Sequence, residues 1–446
     1  MLAFELADFA LNDALLALPA AEAARKVMAL SLLDWAGCAI AGRNQPVSRI
    51  LRAQVLDEGG RGVATLVGSA VRVPARAAAL ANGAISHALD FDDTHFAHIG
   101  HPSVAVMPAA LALGERVGAP LDEVLAAALI GAEASVRVGL WLGRGHYQGG
   151  FHQTATAGAF GAALAGARLM RLGRVQLAHA LGLVATRASG LKAQFGTMGK
   201  PYNAGMAAAN GVEAVELAAR GMRSDPAALD GAFGFGATHM GAGEAGAMEG
   251  LGRRWLISNV SLKFHACCHG LHAMLEALAR ALEEAGDETG DGTAVVRVDL
   301  RAHRRWESVC NIVRPASGLE GKFSFRHAAA LRLAGHDTGA PESFDDALVD
   351  APRISALREA IDVRFDDALG ETEAEAVVHL ASGRRVRARH DLGAPLALGE
   401  RRRRVRAKLR VLLGPQQAGA LWRAVLERRD ARALAALLAN PDLPRP

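Results

Sequence analysis

PARAAALANGAISHALDFDDTHFAHIGHPS, residues 74–103, is the stretch on which the fold turns. Its first half is rich in Ala, the best helix former, and opens on Pro74, a residue favoured at the first helical position. Its second half sets His87, His95, His98 and His101 beside Asp90, Asp92 and Asp93 within fifteen residues. Gly100 and Pro102 then break the chain, and Pro102 pushes His101 toward an extended backbone. The pattern predicts an apolar helix, a polar loop and a second apolar helix, with chemistry carried at the helix ends. If the first helix runs on into the loop, His87, Asp90 and Thr94 share one face at i, i+3 and i+7.

Outward from this stretch the helical pattern continues. Residues 21–41, 103–117, 121–140, 154–172, 175–188 and 201–221 are predicted helices, several of them apolar nearly all round and therefore central in a large bundle. Residues 63–67 are a short extended exception. The character changes near Trp255. AVVRVDL (294–300) alternates as a strand does, 361–365 is a second strand, and 373–380 with 384–390 form a hairpin about Ser382-Gly383. Helices 271–285 and 322–333 lie among these pieces, and from Ala397 the chain is helical again. The expectation is a mainly α protein with an α+β second domain. Residues 1–259 and 397–446 make a large all-helical domain, and 260–396 make a smaller α+β lid over an active site between the two.

Composition supports this division. A chain of 446 residues exceeds one ordinary core. Hydrophobic residues make up 51% but aromatics only 5%, so Ala-rich helix packing outweighs thick β-sandwich cores. The 49 glycines suit turns and close helix contacts. A net charge of +4 is small for this length and suits a small anionic metabolite without requiring nucleic acid. Four cysteines are no disulfide framework, and the start MLAFELADFALND carries no basic leader, so a cytoplasmic location is expected. Residues 149–167 are uncharged and long enough to raise the question of a membrane span. His152, Gln153, two Thr and several Gly there make it a buried helix with its entry loop, and no membrane is expected.

Several clusters can carry chemistry. The His/Asp loop suits either a metal such as Zn, Mn or Fe or acid–base catalysis; a capping Asp and ordinary loop histidines are the structural alternative. GRGHYQGGFHQTATAG (143–158) places His152 just before a small-residue helix. FGTMGKPY (195–202) places Lys200 directly before Pro201, which opens a helix, so that ammonium and free N–H groups attract the same carboxylate. No HExxH and no convincing GxGxxG is present, which removes the zincin and dinucleotide readings. SLKFHACCHGLHAM (261–274) has the wrong cysteine spacing for structural zinc and contributes Lys263. NIVRPASGLEGKFSFRHA (311–328) contributes Arg314 and Lys322. The run from Arg401 to Arg410 holds seven cations in ten residues and is expected to be a solvated helix face rather than a nucleic-acid contact.

Taken together, HALDFDDTHFAHIGHPS, GRGHYQGGFHQTATAGAFGAA, FGTMGKPYNAGMAAANGVEA, KFHACCHGLHA and GLEGKFSFRHA resemble the MmgE/PrpD family, in the family's order. The resemblance implies the two-domain architecture, a homodimer, and catalysis without metal or organic cofactor. It implies 2-methylcitrate dehydration, cis-aconitate decarboxylation or iminodisuccinate epimerisation, each of which moves a proton at carbon beside a carboxylate. The matching pocket residues are Asp90, Thr94, His101, His152 and Lys200. Of these, Asp90, His101, His152 and Lys200 are the catalytic candidates, and Thr94, Lys200, Lys263, Arg314 and Lys322 the partners of an anionic carboxylate substrate. Asp90 or His101 takes or returns the proton, and Lys200 with the helix start at Pro201 stabilises the charge that develops. The HFAHIG spacer and GRGHY resemble the epimerase-like branch. A metal-dependent hydrolase using the His/Asp loop and a polyanion-binding protein using the Arg401–Arg410 run are the readings from other classes.

Overall fold

Ala-rich segments bounded by Pro and Gly fold as helices because the residues between them have high propensity and small, packable side chains. In the computed structural model, which describes residues 1–292 and 294–440, these are α1 (Leu2–Leu11), α2 (Pro19–Gly42), α3 (Pro46–Glu58), α4 (Ala75–His87), α5 (Pro102–Val117), α6 (Leu121–Gln148), α7 (Gln153–Leu169), α8 (Arg174–Arg187) and α9 (Gly199–Ala219). The chain then forms α10 (His272–Ala285), β1 (Val295–Ala302), α11 (Phe325–Leu333), β2 (Ile361–Phe365), β3 (Glu373–Leu380) and β4 (Arg385–Asp391), and ends in α12 (Leu398–Trp422) and a short terminal helix. Two units result: Met1–Leu262 with the chain from Arg401 onward, and Lys263–Glu400. The protein is mainly helical with an α+β second part.

In the first unit α9 packs against α4, α5 and α7, α5 packs against α4 and α7, and α6 packs against α7. Glycine makes two of these crossings close. A Cβ on Gly205 of α9 would lie 2.2 Å from the Leu80 carbonyl oxygen of α4, and one on Gly161 of α7 would lie 2.4 Å from the Gly131 oxygen of α6. Every residue of α7 except Arg168 is buried, so residues 149–167 supply a core helix. Among the described residues the one helix long and apolar enough to cross a membrane is α6, and 89% of its apolar window is buried inside the fold. That helix is not straight: Gly143 (φ 74°) breaks it before its last turn.

In the second unit the sheet order is β2-β1-β3-β4. β1 runs parallel to β2 and antiparallel to β3, and β3–β4 is the expected hairpin. α10 packs on β3 and β4. The segment 63–67 contributes only an isolated bridge, Ala64 to Val73.

The basic run does not behave as a solvated face throughout. Within α12, Arg401 is 6% and Lys408 5% exposed, and Val405 and Leu409 between and beside them are buried as well. These four share one stripe at helical spacing. The Arg401 guanidinium donates to the Ser258 carbonyl at 3.2 Å. Lys408 Nζ donates to Asp34 Oδ1 at 2.6 Å and to the Phe91 carbonyl at 2.5 Å, and lies 3.9 Å from the centre of the Phe91 ring. Burial opposes the Lys408 charge, but Asp34 outweighs it and raises the pKa. The remaining cations do lie outward; Arg402 and Arg406 lie over Trp422.

Removing one partner of such a buried pair leaves an uncompensated charge, at a cost of about 3–5 kcal/mol. Lys408→Ala is therefore expected to lower the urea unfolding free energy by about that amount, and Lys408→Met with Asp34→Leu to recover most of it. A single-variant loss below ~1 kcal/mol, the range of an exposed pair, would show that the pair does not hold α12 in place.

Candidate active site

The first helix does not run on into the loop. α4 ends at His87, so His87, Asp90 and Thr94 share no helical face. The chain turns instead, and Asp90 adopts φ +50° and Ile99 φ +54°. Left-handed backbone is costly for residues with a Cβ and persists where the surroundings impose it. Here the Phe91 carbonyl is held by Lys408. Thr94 exchanges backbone hydrogen bonds with Ser261, at 2.8 and 2.7 Å.

Three candidate residues sit at the starts of three helices. His101 is the N-cap of α5, with the extended backbone (φ −109°, ψ 98°) that Pro102 imposes; its N–H donates to Thr154 Oγ1 at 3.0 Å. His152 is the N-cap of α7, and its N–H donates to the Gly190 carbonyl at 3.0 Å. Lys200 lies in the first turn of α9, which starts at Gly199, before Pro201 rather than at it. Asp93 accepts from Ser103, at 3.3 Å from the N–H and 2.6 Å from the hydroxyl, and so caps α5 from outside.

These side chains converge. Lys200 Nζ is 2.7 Å from Asp90 Oδ2, and His101 Nε2 is 3.6 Å from Asp90 Oδ1. His101 Nδ1 lies 2.7 Å from Asp92 Oδ2, and His87 Nδ1 lies 2.7 Å from Asp92 Oδ1. The His87 and His152 rings are stacked with centroids 6.4 Å apart, and His152 meets the edge of Phe195 at 5.0 Å. Asn203 Nδ2 is 3.3 Å from His152 Nδ1.

The electrostatics separates these groups. Burial works to raise the Asp92 pKa, but the two histidines outweigh it and hold the carboxyl well below the usual range. Burial pushes His101 down to about 4, against the opposing pull of Asp92. Burial likewise depresses His152, helped by Lys200, His87 and His101 and opposed by Asp90. At neutral pH Asp92 is an anion that can only accept, so both Nδ1 atoms facing it carry protons. His101 then presents an unprotonated Nε2 toward Asp90 and Lys200, the arrangement of a general base. Burial pushes Asp93, which lies outside this exchange, up to about 7.

His87, Asp90, Asp92 and His101 are also the metal-ligating group among the described residues, with one ligand atom from each lying within 4.8 Å of the others. One observation favours proton transfer there: the Lys200 ammonium, 2.7 Å from Asp90, already supplies positive charge where a cation would bind.

Of the other candidates, Lys263, Arg314 and Lys322 belong to the Lys263–Glu400 unit. Lys263 is 2% exposed. The Arg314 side chain is 82% exposed and lies 3.6 Å from Glu359. Lys322 is half-buried, and its carbonyl accepts from Cys268 N–H at 2.9 Å. His95 Nε2 donates to the Leu256 carbonyl at 2.9 Å. His98 is fully buried with no hydrogen-bond partner at either ring nitrogen. A separate cavity of about 510 Å³, bordered by Thr65, Arg72, Glu115 and Leu434, shares no residue with the cluster. Sequence reasoning missed Asp92, the hub of the cluster, and Asn203. Nothing in FDD distinguishes Asp92 from Asp93 before the loop is folded.

Fold and site together define a two-part protein whose helical unit carries an imidazole–carboxylate–ammonium cluster at converging helix starts. The chain belongs to the MmgE/PrpD family: residues 5–247 match the MmgE/PrpD N-terminal domain, and residues 265–427 the MmgE/PrpD C-terminal domain. It is 30% identical over 264 residues to the cis-aconitate decarboxylase-like protein oryM of Aspergillus oryzae, covering 55% of each chain. It is 28% identical over 323 residues to the cis-aconitate decarboxylase of Aspergillus terreus, covering 68% of this chain and 66% of that protein. To the cis-aconitate decarboxylase of Homo sapiens it is 26% identical over 306 residues, covering 66% of this chain and 62% of the relative. The matches thus span less than two thirds of the length of these curated relatives.

The neutral state of His101 has a direct check. Its ring is expected to show no NMR titration between pH 8 and 5 and a midpoint near 4; a midpoint near the ordinary 6.5 would contradict the site described. The sign for stability follows. The unfolded chain binds this proton first, so the contribution of His101 makes stability fall as pH drops from 6.5 toward 4. Asp93 acts with the opposite sign, since its folded form binds a proton that the unfolded form releases between about 3.8 and 7. An Asp93→Asn background removes that opposing contribution.

Proposed function

We propose that the protein is a lyase or isomerase that moves a proton at carbon beside a carboxylate of a small di- or tricarboxylic acid, using its own side chains. The observation that carries this reading is the Asp92–His101 pair, which aims an unprotonated Nε2 at the Asp90–Lys200 ion pair. Removing a proton beside a carboxylate, or breaking a carbon–carboxylate bond there, places negative charge on neighbouring oxygens. Lys200 and the positive dipole ends of α5, α7 and α9, at whose starts His101, His152 and Lys200 stand, are the groups that stabilise it. Asp90 keeps Lys200 extended toward the site until a substrate carboxylate competes for the ammonium.

Cis-aconitate is the first substrate to try, because the relatives named above act on it or are like those that do. In its decarboxylation the C–CO₂ bond breaks, the electron pair shifts the double bond, and one carbon takes up a proton. Dehydration of 2-methylcitrate and epimerisation of iminodisuccinate use the same elements, and the HFAHIG spacer keeps the latter in the comparison.

The test is a screen of these three acids, following CO₂ release, alkene absorbance and deuterium uptake from solvent at the carbon beside the carboxylate. Turnover of at least one is expected, unchanged after dialysis against a strong chelator. Loss on chelation with recovery on one divalent ion would favour the metal-dependent reading of the same loop. On the true substrate, Lys200→Ala is expected to weaken binding ten- to hundredfold, the equivalent of about 1.5–3 kcal/mol for a charged contact. His101→Asn should lower kcat by about 10²–10⁴ with KM changed less. Near-normal kcat in folded His101→Asn would remove this ring from the mechanism.

A further inference from the structure

Asn203 lies one turn from Lys200 on α9 and is 8% exposed. Its Nδ2 is 3.3 Å from the Leu191 carbonyl oxygen and 3.3 Å from Nδ1 of His152. A carbonyl only accepts, so the amide must turn its nitrogen toward Leu191. The same nitrogen faces His152, whose Nδ1 must then be the unprotonated acceptor. A neutral imidazole carries one proton, and here it falls on Nε2. The backbone N–H of His152 donates to the Gly190 carbonyl at 3.0 Å, and its ring meets Phe195 edge to face with centroids 5.0 Å apart. Burial opposes a second proton, as do Lys200, His87 and His101 around it, while Asp90 favours one. His101 is the converse, with Nδ1 donating to Asp92 and Nε2 bare. The two rings therefore differ in tautomer because one is oriented by a carboxylate and the other by an amide.

We propose that Asn203 is a positioning residue that fixes His152 as the Nε2–H tautomer, so that His152 is the proton donor and His101 the proton acceptor of one reaction. The proposal rests on the acid–base reading above. In dehydration or epimerisation one proton leaves the substrate carbon for His101 Nε2, and one passes from His152 Nε2 to the leaving hydroxyl or the opposite face of the carbon. Exchange with solvent then resets both rings. In decarboxylation the His152 proton alone is delivered, to the carbon that gains the electron pair.

Asn203→Asp inverts the arrangement. A carboxylate in the same place only accepts, so His152 must turn to the Nδ1–H tautomer, and the site then holds two bare Nε2 atoms and no imidazole donor facing the substrate. The test is the ¹⁵N spectrum of the full chain labelled at histidine, recorded without substrate, with the His152 signals identified by their loss in His152→Asn. The expected wild-type spectrum has Nε2 protonated and Nδ1 bare. In Asn203→Asp the two should exchange, and kcat on the true substrate should fall by about 10²–10⁴ with KM changed less. A protonated Nδ1 in the wild type overturns the proposal, as does an exchanged tautomer with undiminished kcat. If Asn203→Asp fails to fold, the wild-type spectrum decides alone. The spectrum needs no turnover, so failure of every acid in the screen would count against the proposed reaction while the tautomer assignment stood or fell separately.

Discussion

The site depends on one carboxylate. Asp92 is fully buried and accepts an Nδ1–H from each of two imidazoles, His87 and His101, at 2.7 Å. An isolated ion in such a place would be costly; two charge-assisted hydrogen bonds offset that cost and keep Asp92 ionised. The ionised carboxylate in turn determines where the His101 proton sits, and hence which nitrogen faces Asp90 and Lys200. Orientation of the base and its tautomer follow from this contact, while its neutrality follows from burial, which outweighs the pull of Asp92.

Asp92 can serve in this way only because the loop carrying it is held from several sides. Close passage of α4 and α9 at Gly205 lets the helices bearing His87 and Lys200 approach. Lys408, from the last long helix, binds the carbonyl of Phe91, between the two aspartates, while neutralising Asp34. Asp90 sits in left-handed backbone at the next residue, a conformation retained where packing and hydrogen bonds over-determine it. Chain distant in sequence thus sets the geometry of a loop some 300 residues earlier (|i−j| 317 for Lys408 and Phe91).

Much of this was legible in the sequence. The 361–365 strand and the 373–380 strand of the hairpin coincide with β2 and β3, because alternation and a Ser-Gly turn leave little choice of register. Both ends of α5 and the start of α6 follow from Pro102, Gly118 and Pro120, whereas α6 runs to Gln148, past the expected 140. His101, Asp90 and Lys200 were nameable through the resemblance of their strings to the MmgE/PrpD family; residue types alone left a capping Asp and ordinary loop histidines open. Asp92 was not distinguishable from its neighbours, since its partners are fixed by a turn with positive φ that no local propensity specifies. The burial of Arg401 and Lys408 was hidden by the cations around them, although their seven-residue spacing with Val405 and Leu409 forms a core-facing stripe. The start of α9 at Gly199 shows that a Pro near a helix start locates it only to within a turn.

The most direct measurement is the steady-state kinetics of Asp92→Asn on the true substrate, with a thermal melt as the folding control. Asparagine keeps the shape but has one acceptor oxygen where aspartate has two, so at least one of the two imidazoles must face an amide donor and give up its Nδ1 proton. The account predicts a folded protein whose kcat is lower by about 10²–10⁴ while KM changes little. A folded Asp92→Asn with kcat near that of the wild type would show that this carboxylate does not set the base, and would contradict the account at its centre.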